Sequence, residues 1–189
     1  MDASGDSPRD QALVSNWVGI AKMPKAIFGW PSWEISSSNR KTDGANESDQ
    51  MVLTALLADQ NGAGLEGVEL RIVVWRNRSM EDVTALLQIE NDGWIPIARL
   101  DSWPYSPHTN RHWKQLKQMP TVEGSHVHHC WDNAKLGRKA FGPYQNLPSA
   151  VPVDSEPNSF RDMLKLVEVH FNIVGASKLP APEWQERLL

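Results

Sequence analysis

Hydrophobic residues near the start of the chain recur at helical spacing. Between residues 10 and 23 an apolar side chain appears every three to four positions, which predicts a short amphipathic helix. Its apolar positions are Leu13, Val14, Trp17, Val18, Ile20 and Ala21. Residues 1–10 are mostly polar and predict a disordered tail, and the turn-rich residues 36–50 predict an exposed loop.

From Met51 the pattern changes to short apolar runs separated by turn residues. The runs are MVLTALLA, VELRIVVW, VTALLQIE and WIPIARLD. In the third run, alternate residues from Val83 to Ile89 are apolar, which is the period of a strand. The sequence Asn-Asp-Gly at residues 91–93 is a tight-turn signal between the third and fourth runs. The runs therefore predict a four-stranded antiparallel meander.

A fifth strand and a closing helix follow the meander. The segment SHVHHCW, residues 125–131, predicts a strand after a stretch rich in Pro and His. Residues 158–173 have the apolar spacing of a helix, with Asn or Ser available as its cap, and residues 176–189 predict a C-terminal tail. We therefore expect a single α+β domain over residues 11–175, in which an antiparallel sheet of about five to six strands packs with an N-terminal and a C-terminal helix.

Composition and charge are those of a folded protein without a strong preference for nucleic acid. The length of 189 residues suits one domain, and 40% hydrophobic against 22% charged residues argues against wholesale disorder. The formal charge is −4, but residues 71–145 hold ten Lys and Arg against seven Asp and Glu, together with five of the six His. This section favours anions mildly and is far less basic than the surface of a dedicated nucleic-acid-binding protein.

Three further features predict a cytoplasmic protein without membrane association. No apolar run reaches the roughly 18 to 20 residues that span a bilayer, and the first ten residues are acidic where a secretory signal is basic. The one cysteine, Cys130, cannot form an intrachain disulfide, which suits a reducing compartment.

Strand periodicity brings the candidate chemical groups together. In the predicted strand at residues 125–131, His126, His128 and Cys130 would share one face because alternate side chains point the same way. The opposite face is more apolar and would be the core face. We therefore expect a structural role for His129, which lies on that face.

The fourth apolar run would add two charged side chains to this group. Its alternation places Arg99 and Asp101 on one face, together with the isoleucines at 95 and 97. If this strand and the histidine strand are neighbours in the sheet, Arg99 and Asp101 would face His126 and His128.

Such a group has the parts of a metal-free ribonuclease site, in which Arg99, Asp101, His126 and His128 would be catalytic. The carboxylate would orient one imidazole, the two imidazoles would exchange general acid and base roles, and the arginine would bind a phosphate. This interpretation needs no cofactor. Residues of the intervening loop would extend the site over a substrate, and the candidates are Tyr105, His108, Asn110, His112 and Lys114.

Two other interpretations of the histidines stay open. In the first, His126 and His128 are ligands of a metal, and His108, Cys130 or Asp101 completes a tetrahedron. The spacing matches neither a zinc-finger pattern nor HExxH. In the second, the histidines are solvated loop residues or structural hydrogen-bond donors, and the arginine and the aspartate form a surface ion pair.

Short motifs over about 40% of the chain resemble a group of uncharacterised bacterial proteins with an R-x-D, H-x-N, G-x-H-x-H and F-x-x-x-x-N-I layout. The matching segments are IARLD, HTN, GSHVHH and HFNI, and AKMPKAIFG near the start also resembles the opening of that group. The layout is in turn similar to the TumE-type toxin partners of toxin–antitoxin pairs, although Ser102 and Ser125 stand where the toxins have Asn and Asp. The resemblance implies that Arg99, Asp101 and the histidines of GSHVHH are the positions to test.

Three functions are open from the sequence. The first is a toxin-like protein of a bacterial conflict system, toxin–antitoxin or phage defence, that acts as a metal-independent ribonuclease. Its partners would be a cognate antitoxin or a defence-complex protein, and RNA. The second is a non-enzymatic inhibitor from a phage or mobile element that binds a host defence complex, which the acidic balance outside residues 71–145 favours. The third is a metal-dependent hydrolase.

Overall fold

The computed structural model of the protein describes residues 6–36, 50–142 and 145–184. The exposed loop predicted at 36–50 lies outside these residues except at its two ends. Those ends, Ser36 and Gln50, are joined by a backbone hydrogen bond of 2.9 Å from the Ser36 N–H to the Gln50 carbonyl.

In the described residues, one long helix precedes the strands, another follows most of them, and two short helices lie among them. The helices are α1 (Pro8–Lys22), α2 (Trp113–Leu116), α3 (Cys130–Ala134) and α4 (Phe160–Phe171), with 3-10 turns at Arg138–Phe141 and Ala176–Lys178. The strands are β1 (Lys25–Phe28), β2 (Trp33–Ile35), β3 (Gln50–Asp59), β4 (Gly64–Trp75), β5 (Val83–Glu90), β6 (Trp94–Ser102), β7 (His108–Thr109), β8 (Thr121–Val122), β9 (His126–His128), β10 (Val151–Pro152) and β11 (Ile173–Val174).

The strands form one large sheet and a small two-stranded sheet. The large sheet runs in the order β10-β9-β6-β5-β4-β3-β1-β11, with β2 beside β1 on the same side of β3, and β7 pairs with β8. The pair β1 and β11 is parallel, and the other described pairs are antiparallel. The α+β class is confirmed. The sheet has nine strands rather than five or six, because β1, β2, β10 and β11 are too short to give a periodic signal.

The predicted meander forms the centre of the large sheet. Strands β3 to β6 are consecutive neighbours, and Asn91 donates a 2.8 Å backbone hydrogen bond to Gly93 in the turn between β5 and β6. Alternate residues of β5, from Val83 to Ile89, are buried in the core as the period-two pattern predicts. The same core contains the apolar faces of α1 and α4.

One detail of the predicted alternation in β6 is wrong because the strand contains a bulge. Leu87 pairs with Ala98 and Gln88 pairs with Pro96, so the intervening Ile97 has no partner on β5. One extra residue inverts the alternation. Ile95 therefore packs against the core, whereas Arg99 and Asp101 lie on the opposite face of the sheet.

Both chain ends are more ordered than the sequence predicts over their described parts. Helix α1 begins at Pro8, inside the predicted tail, and the Ser7 hydroxyl accepts a hydrogen bond from the backbone N–H of Asp10 as its cap. In the predicted C-terminal tail, Leu179 is buried and the ring of Trp184 packs edge-on against a phenylalanine of α4. Among the described helices, none has the length and apolar character needed to cross a bilayer.

Candidate functional site

Strands β6 and β9 bring four polar side chains to one face of the sheet. Arg99 pairs with His128, and Asp101 pairs with His126. Between these pairs, Leu100 is opposite Val127, and both of these side chains lie in the hydrophobic core. Because alternate residues of a strand point to opposite faces, the four polar side chains meet on the other side, as expected for neighbouring strands.

The carboxylate of Asp101 lies at the centre of this group. Its Oδ2 atom is 2.7 Å from both Nε and Nη2 of Arg99 and 3.2 Å from Nε2 of both His126 and His128. Its Oδ1 atom accepts a 2.9 Å hydrogen bond from the Thr84 hydroxyl on β5. Burial alone would raise the pKa of Asp101, but contacts that include the Arg99 guanidinium outweigh burial and hold this pKa well below its usual value. Asp101 is therefore a carboxylate at neutral pH.

Backbone carbonyls fix the orientation of the two buried imidazoles. Nδ1 of His126 is 2.8 Å from the Gly124 carbonyl, and Nδ1 of His128 is 2.6 Å from the Leu147 carbonyl. Because a carbonyl only accepts hydrogen bonds, each Nδ1 carries a proton. Burial lowers the pKa of His128 to about 4, so this ring is neutral at pH 7 and its Nε2 carries a lone pair.

A third imidazole joins the group from the β7–β8 hairpin. The ring of His108 lies 4.6 Å from that of His128 and 5.2 Å from that of His126, between centroids. One side-chain nitrogen from each of the three rings lies within 4.8 Å of the others. Nε2 of His108 is 3.3 Å from the Pro148 carbonyl, and burial lowers the pKa of this residue. We call His108, His126, His128 and Asp101 the histidine cluster.

Two buried asparagines hold the loop that orients these rings. Asn110 donates from Nδ2 to the Ala150 carbonyl at 2.9 Å and accepts from the Ala150 N–H at 2.7 Å. Asn133 of α3 makes the same pair of bonds with Ser149, both at 2.9 Å. The adjoining carbonyls at 147 and 148 contact His128 and His108. The asparagines therefore position the histidine cluster through the backbone of this loop.

A cavity of about 280 Å³ lies beside the histidine cluster. Arg99 and His108 line it and belong at the same time to the group around Asp101. Arg111 adds a second guanidinium to its wall. The remaining lining residues are Pro107, Thr109, Gln145, Asn146 and Pro148.

Some residues predicted from the sequence lie elsewhere. Tyr105 is 91% exposed. Lys114 is also exposed, and its ammonium lies over the ring of Trp113. Neither residue lines the cavity beside the cluster. Asn110 is buried and has its amide bonded to backbone, and His112 precedes α2 without lining the cavity. Their expected contact with a substrate stays a prediction.

Cys130 and His129 are separated from the cluster because β9 ends at His128. Helix α3 begins at Cys130, so the strand predicted over 125–131 is wrong beyond His128 and the cysteine does not share the face of the histidines. Burial raises the pKa of the Cys130 thiol to about 12. His129 stacks on Trp131 with ring centroids 4.2 Å apart, as a structural residue would.

Sequence reasoning did not identify three residues that complete the site. Thr84 bonds to Asp101, Arg111 lines the cavity and Asn133 positions the loop. A weak signal existed for Thr84, because it is a polar residue on the outward face of β5. The other two depend on loops whose course has no periodic pattern.

No protein-family profile, curated protein or solved structure matches this chain. The similarity to TumE-type toxins therefore stays a prediction that rests on the short motifs alone.

Proposed function

We propose that this protein hydrolyses phosphate esters, with the phosphate bound in the cavity beside the histidine cluster. The observation that carries the proposal is that a single cavity is lined by Arg99, Arg111 and His108, while Arg99 is paired with Asp101 and His108 packs against the buried His128. Guanidinium groups bind phosphate through two parallel hydrogen bonds. The cavity thus joins an anion-binding wall to a group of imidazoles and a carboxylate.

Each part of the site has a role in this reaction. Arg99 and Arg111 would bind the non-bridging oxygens of the phosphate, and Arg99, which is paired with Asp101, would also stabilise the charge that develops there. A water activated at the cluster would form a bond to phosphorus as the ester P–O bond breaks, and the proton that this water loses would pass through the cluster to the leaving oxygen. Thr84 and Asp101 would orient the imidazoles without contacting the substrate, since Asp101 contacts both buried imidazoles and bonds to Thr84.

A phosphodiesterase of this kind fits the toxin-like role in a bacterial conflict system. Cleavage of cellular RNA would arrest growth, and a cognate antitoxin would then be the partner that prevents it. Support for this role comes from the site's anion-binding wall and from the motifs shared with TumE-type toxins. RNA is therefore the polymer to test first.

The test uses the purified full chain with a phosphodiester reporter, a phosphomonoester reporter and a mixed-sequence RNA, with and without added divalent transition metal. We expect His108→Ala to lower kcat by about 100-fold or more, because His108 joins the cavity to the cluster. We expect Arg111→Ala to raise KM by about tenfold with little change in kcat, because its guanidinium binds substrate. Arg161→Ala, an exposed arginine of α4, is the matched control.

Induced expression in bacteria tests the biological role. Wild type should arrest growth and degrade RNA, and His108→Ala of equal abundance should do neither. The proposal fails if the wild-type chain hydrolyses none of the three substrates in the presence of metal, or if His108→Ala retains full activity.

A second candidate function is the non-enzymatic inhibitor. It is supported by exposed apolar residues near the edge of the large sheet opposite to β9. Trp30 is 94% exposed and lines a cavity of about 220 Å³ together with Val174. Phe28 and Leu56 are paired across β1 and β3 and are also exposed. Exposed aromatic residues of this kind anchor protein partners. A pull-down in which Trp30→Ala loses a partner that His108→Ala retains would favour this function over hydrolysis.

A further inference from the structure

We propose that the histidine cluster is a binding site for one divalent transition metal ion of the zinc class, with His108, His126, His128 and Asp101 as its ligands. Metal binding by these residues stands on their geometry, and only its use in hydrolysis rests on the proposed function. The geometry favours this over an acid–base pair of His126 and His128, because both rings are buried and direct Nε2 at Asp101 rather than at the cavity.

The two buried imidazoles have fewer protons than the acceptors around them need. His126 and His128 each lie between two acceptors, a backbone carbonyl at Nδ1 and the Asp101 carboxylate at Nε2. A neutral imidazole has one N–H, which the carbonyl takes, so a lone pair of each ring faces the carboxylate. One metal ion between these lone pairs and the carboxylate oxygen would give all three donor atoms a partner.

The donor atoms around Asp101 are spaced like the ligand atoms of a tetrahedral metal site. Oδ2 of Asp101 is 3.2 Å from Nε2 of His126 and 3.2 Å from Nε2 of His128. A tetrahedral zinc site with bonds of about 2.0–2.1 Å has ligand atoms about 3.3 Å apart. One nitrogen from each of the three rings lies within 4.8 Å of the others, which exceeds the tetrahedral spacing by at most about 1.5 Å.

The hydrogen bonds that the three histidine rings make to backbone carbonyls are typical of metal ligands. Metal-binding histidines usually donate the second ring N–H to a carbonyl or a carboxylate, which selects the tautomer that binds the ion. All three rings have such a carbonyl, at Gly124, Leu147 and Pro148. A carboxylate oxygen can bind a metal while accepting hydrogen bonds, so Arg99 and Thr84 keep Asp101 oriented.

The ligand types select the metal. Imidazole nitrogens suit zinc, cobalt, nickel and copper, whereas magnesium and calcium prefer oxygen ligands. Such an ion would supply an activated water or a Lewis acid next to the cavity. Its positive charge would also add to that of Arg99 and Arg111 and strengthen the attraction of a phosphate.

The experiment is a cobalt titration of the full chain, without a histidine tag and after treatment with a chelator. We expect one equivalent of Co²⁺ to bind with a Kd below about 1 μM and to give the intense visible absorption of a tetrahedral complex, which one equivalent of Zn²⁺ displaces. His108→Gln should weaken binding by about 100-fold or more. His170→Gln, a half-buried histidine of α4 outside the cluster, should bind as wild type does.

His108 is the first variant because it is only half-buried and lies on a short hairpin, so its loss is less disruptive than that of the buried His126 or His128. If His108→Gln, shown to be folded, binds cobalt like wild type, or if wild type gives only weak binding without the tetrahedral spectrum, the metal site is refuted. Metal binding without hydrolysis of any phosphate ester supports the site and refutes the proposed function. Hydrolysis by the chelator-treated chain, together with no tight binding of cobalt, supports the proposed function and refutes the metal site.

Discussion

Thr84 and Asp101 lie directly opposite each other on β5 and β6, and the Thr84 hydroxyl donates a 2.9 Å hydrogen bond to Oδ1 of Asp101. This bond leaves Oδ2 to face Arg99 and the two buried imidazoles. Thr84, which lies on a strand outside the histidine motif, therefore determines which carboxylate oxygen of Asp101 faces the imidazoles.

Thr84→Val removes this hydroxyl while keeping the shape of the side chain. We expect cobalt affinity to fall by about tenfold, because bonds behind a metal ligand contribute on that scale. The free energy of unfolding should change by only about 1 kcal/mol. Competition titration measures the first quantity and urea denaturation the second.

Two variants make this prediction specific. Thr84→Ser restores a hydroxyl and should restore affinity, whereas Thr54→Val, at an exposed position of β3, should leave it unchanged. If Thr84→Ser binds cobalt no better than Thr84→Val, the hydrogen bond to Asp101 does not position the ligand.

The pairing of Thr84, Asp101 and His126 shows how far the sequence predicts the site. Alternation in β5 and the Asn-Asp-Gly turn determine the hairpin, and hairpin register sets the partner of each residue. Chain order predicted that β9 lies next to β6, and the two strands are neighbours in the sheet. Local periodicity and chain order were therefore sufficient for strands β3 to β6, for β9 and for four of the polar side chains.

The bulge in β6 could have been inferred from Pro96, although the alternation alone hides it. Proline has no N–H to donate to the ladder, so within a strand it is confined to edges and bulges. The extra residue beside it, Ile97, sends Ile95 to the core and Arg99 to the opposite face. Without this bulge, the two isoleucines would lie beside the polar side chains.

The third imidazole could not be assigned a place from the sequence. His108 reaches the cluster because its short hairpin packs against the loop at residues 147–150, almost 40 residues later in the chain. This packing depends on side-chain amides that bond to backbone, and such bonds follow no periodic pattern. For the same reason, Asn110 was predicted to bind substrate although its amide is bonded to backbone.

Asn110→Ala should lower the free energy of unfolding by about 2–4 kcal/mol, because two buried backbone groups and one part-buried backbone group lose their partners. These are the Met119 carbonyl and both polar groups of Ala150. Urea denaturation followed by tryptophan fluorescence measures the change. Asn16→Ala, at an exposed position of α1, should change stability by less than about 0.5 kcal/mol.

The same variant distinguishes a positioning residue from one that contacts substrate. We expect Asn110→Ala to lower cobalt affinity, since the loop it holds supplies the carbonyls behind His108 and His128. A variant with unchanged stability and unchanged cobalt affinity but a raised KM would instead make Asn110 a substrate-binding residue.

Lys25, a buried residue at the start of β1, caps the C-terminal end of α1 with its side chain. Its Nζ donates to the carbonyls of Ile20, Ala21 and Met23 at 2.8, 3.1 and 2.7 Å. Lys25→Met fills a similar volume but leaves these carbonyls without the ammonium, and the last turn of a helix has no backbone donors to replace it. We expect a loss of about 2–4 kcal/mol in the free energy of unfolding.

A matched variant separates this effect from the loss of a positive charge. Lys178→Met changes an exposed lysine near the end of the fold and should leave stability within about 0.5 kcal/mol of wild type. Equal stability of Lys25→Met and Lys178→Met in urea denaturation would show that the three carbonyls do not depend on the ammonium.

Cys130 provides a test of which side chains form the metal site. It follows His128 by two residues and would share its face if β9 continued, but α3 begins at Cys130 and its side chain is fully buried in the core. We therefore expect DTNB to label the thiol far more slowly in the native protein than in urea, because reaction requires an exposed thiolate. We also expect Cys130→Ala to bind cobalt with the affinity and visible spectrum of wild type. A near-ultraviolet band from sulfur-to-cobalt charge transfer in wild type, absent in Cys130→Ala, would place the cysteine among the ligands and would mean that β9 continues past His128 when metal binds.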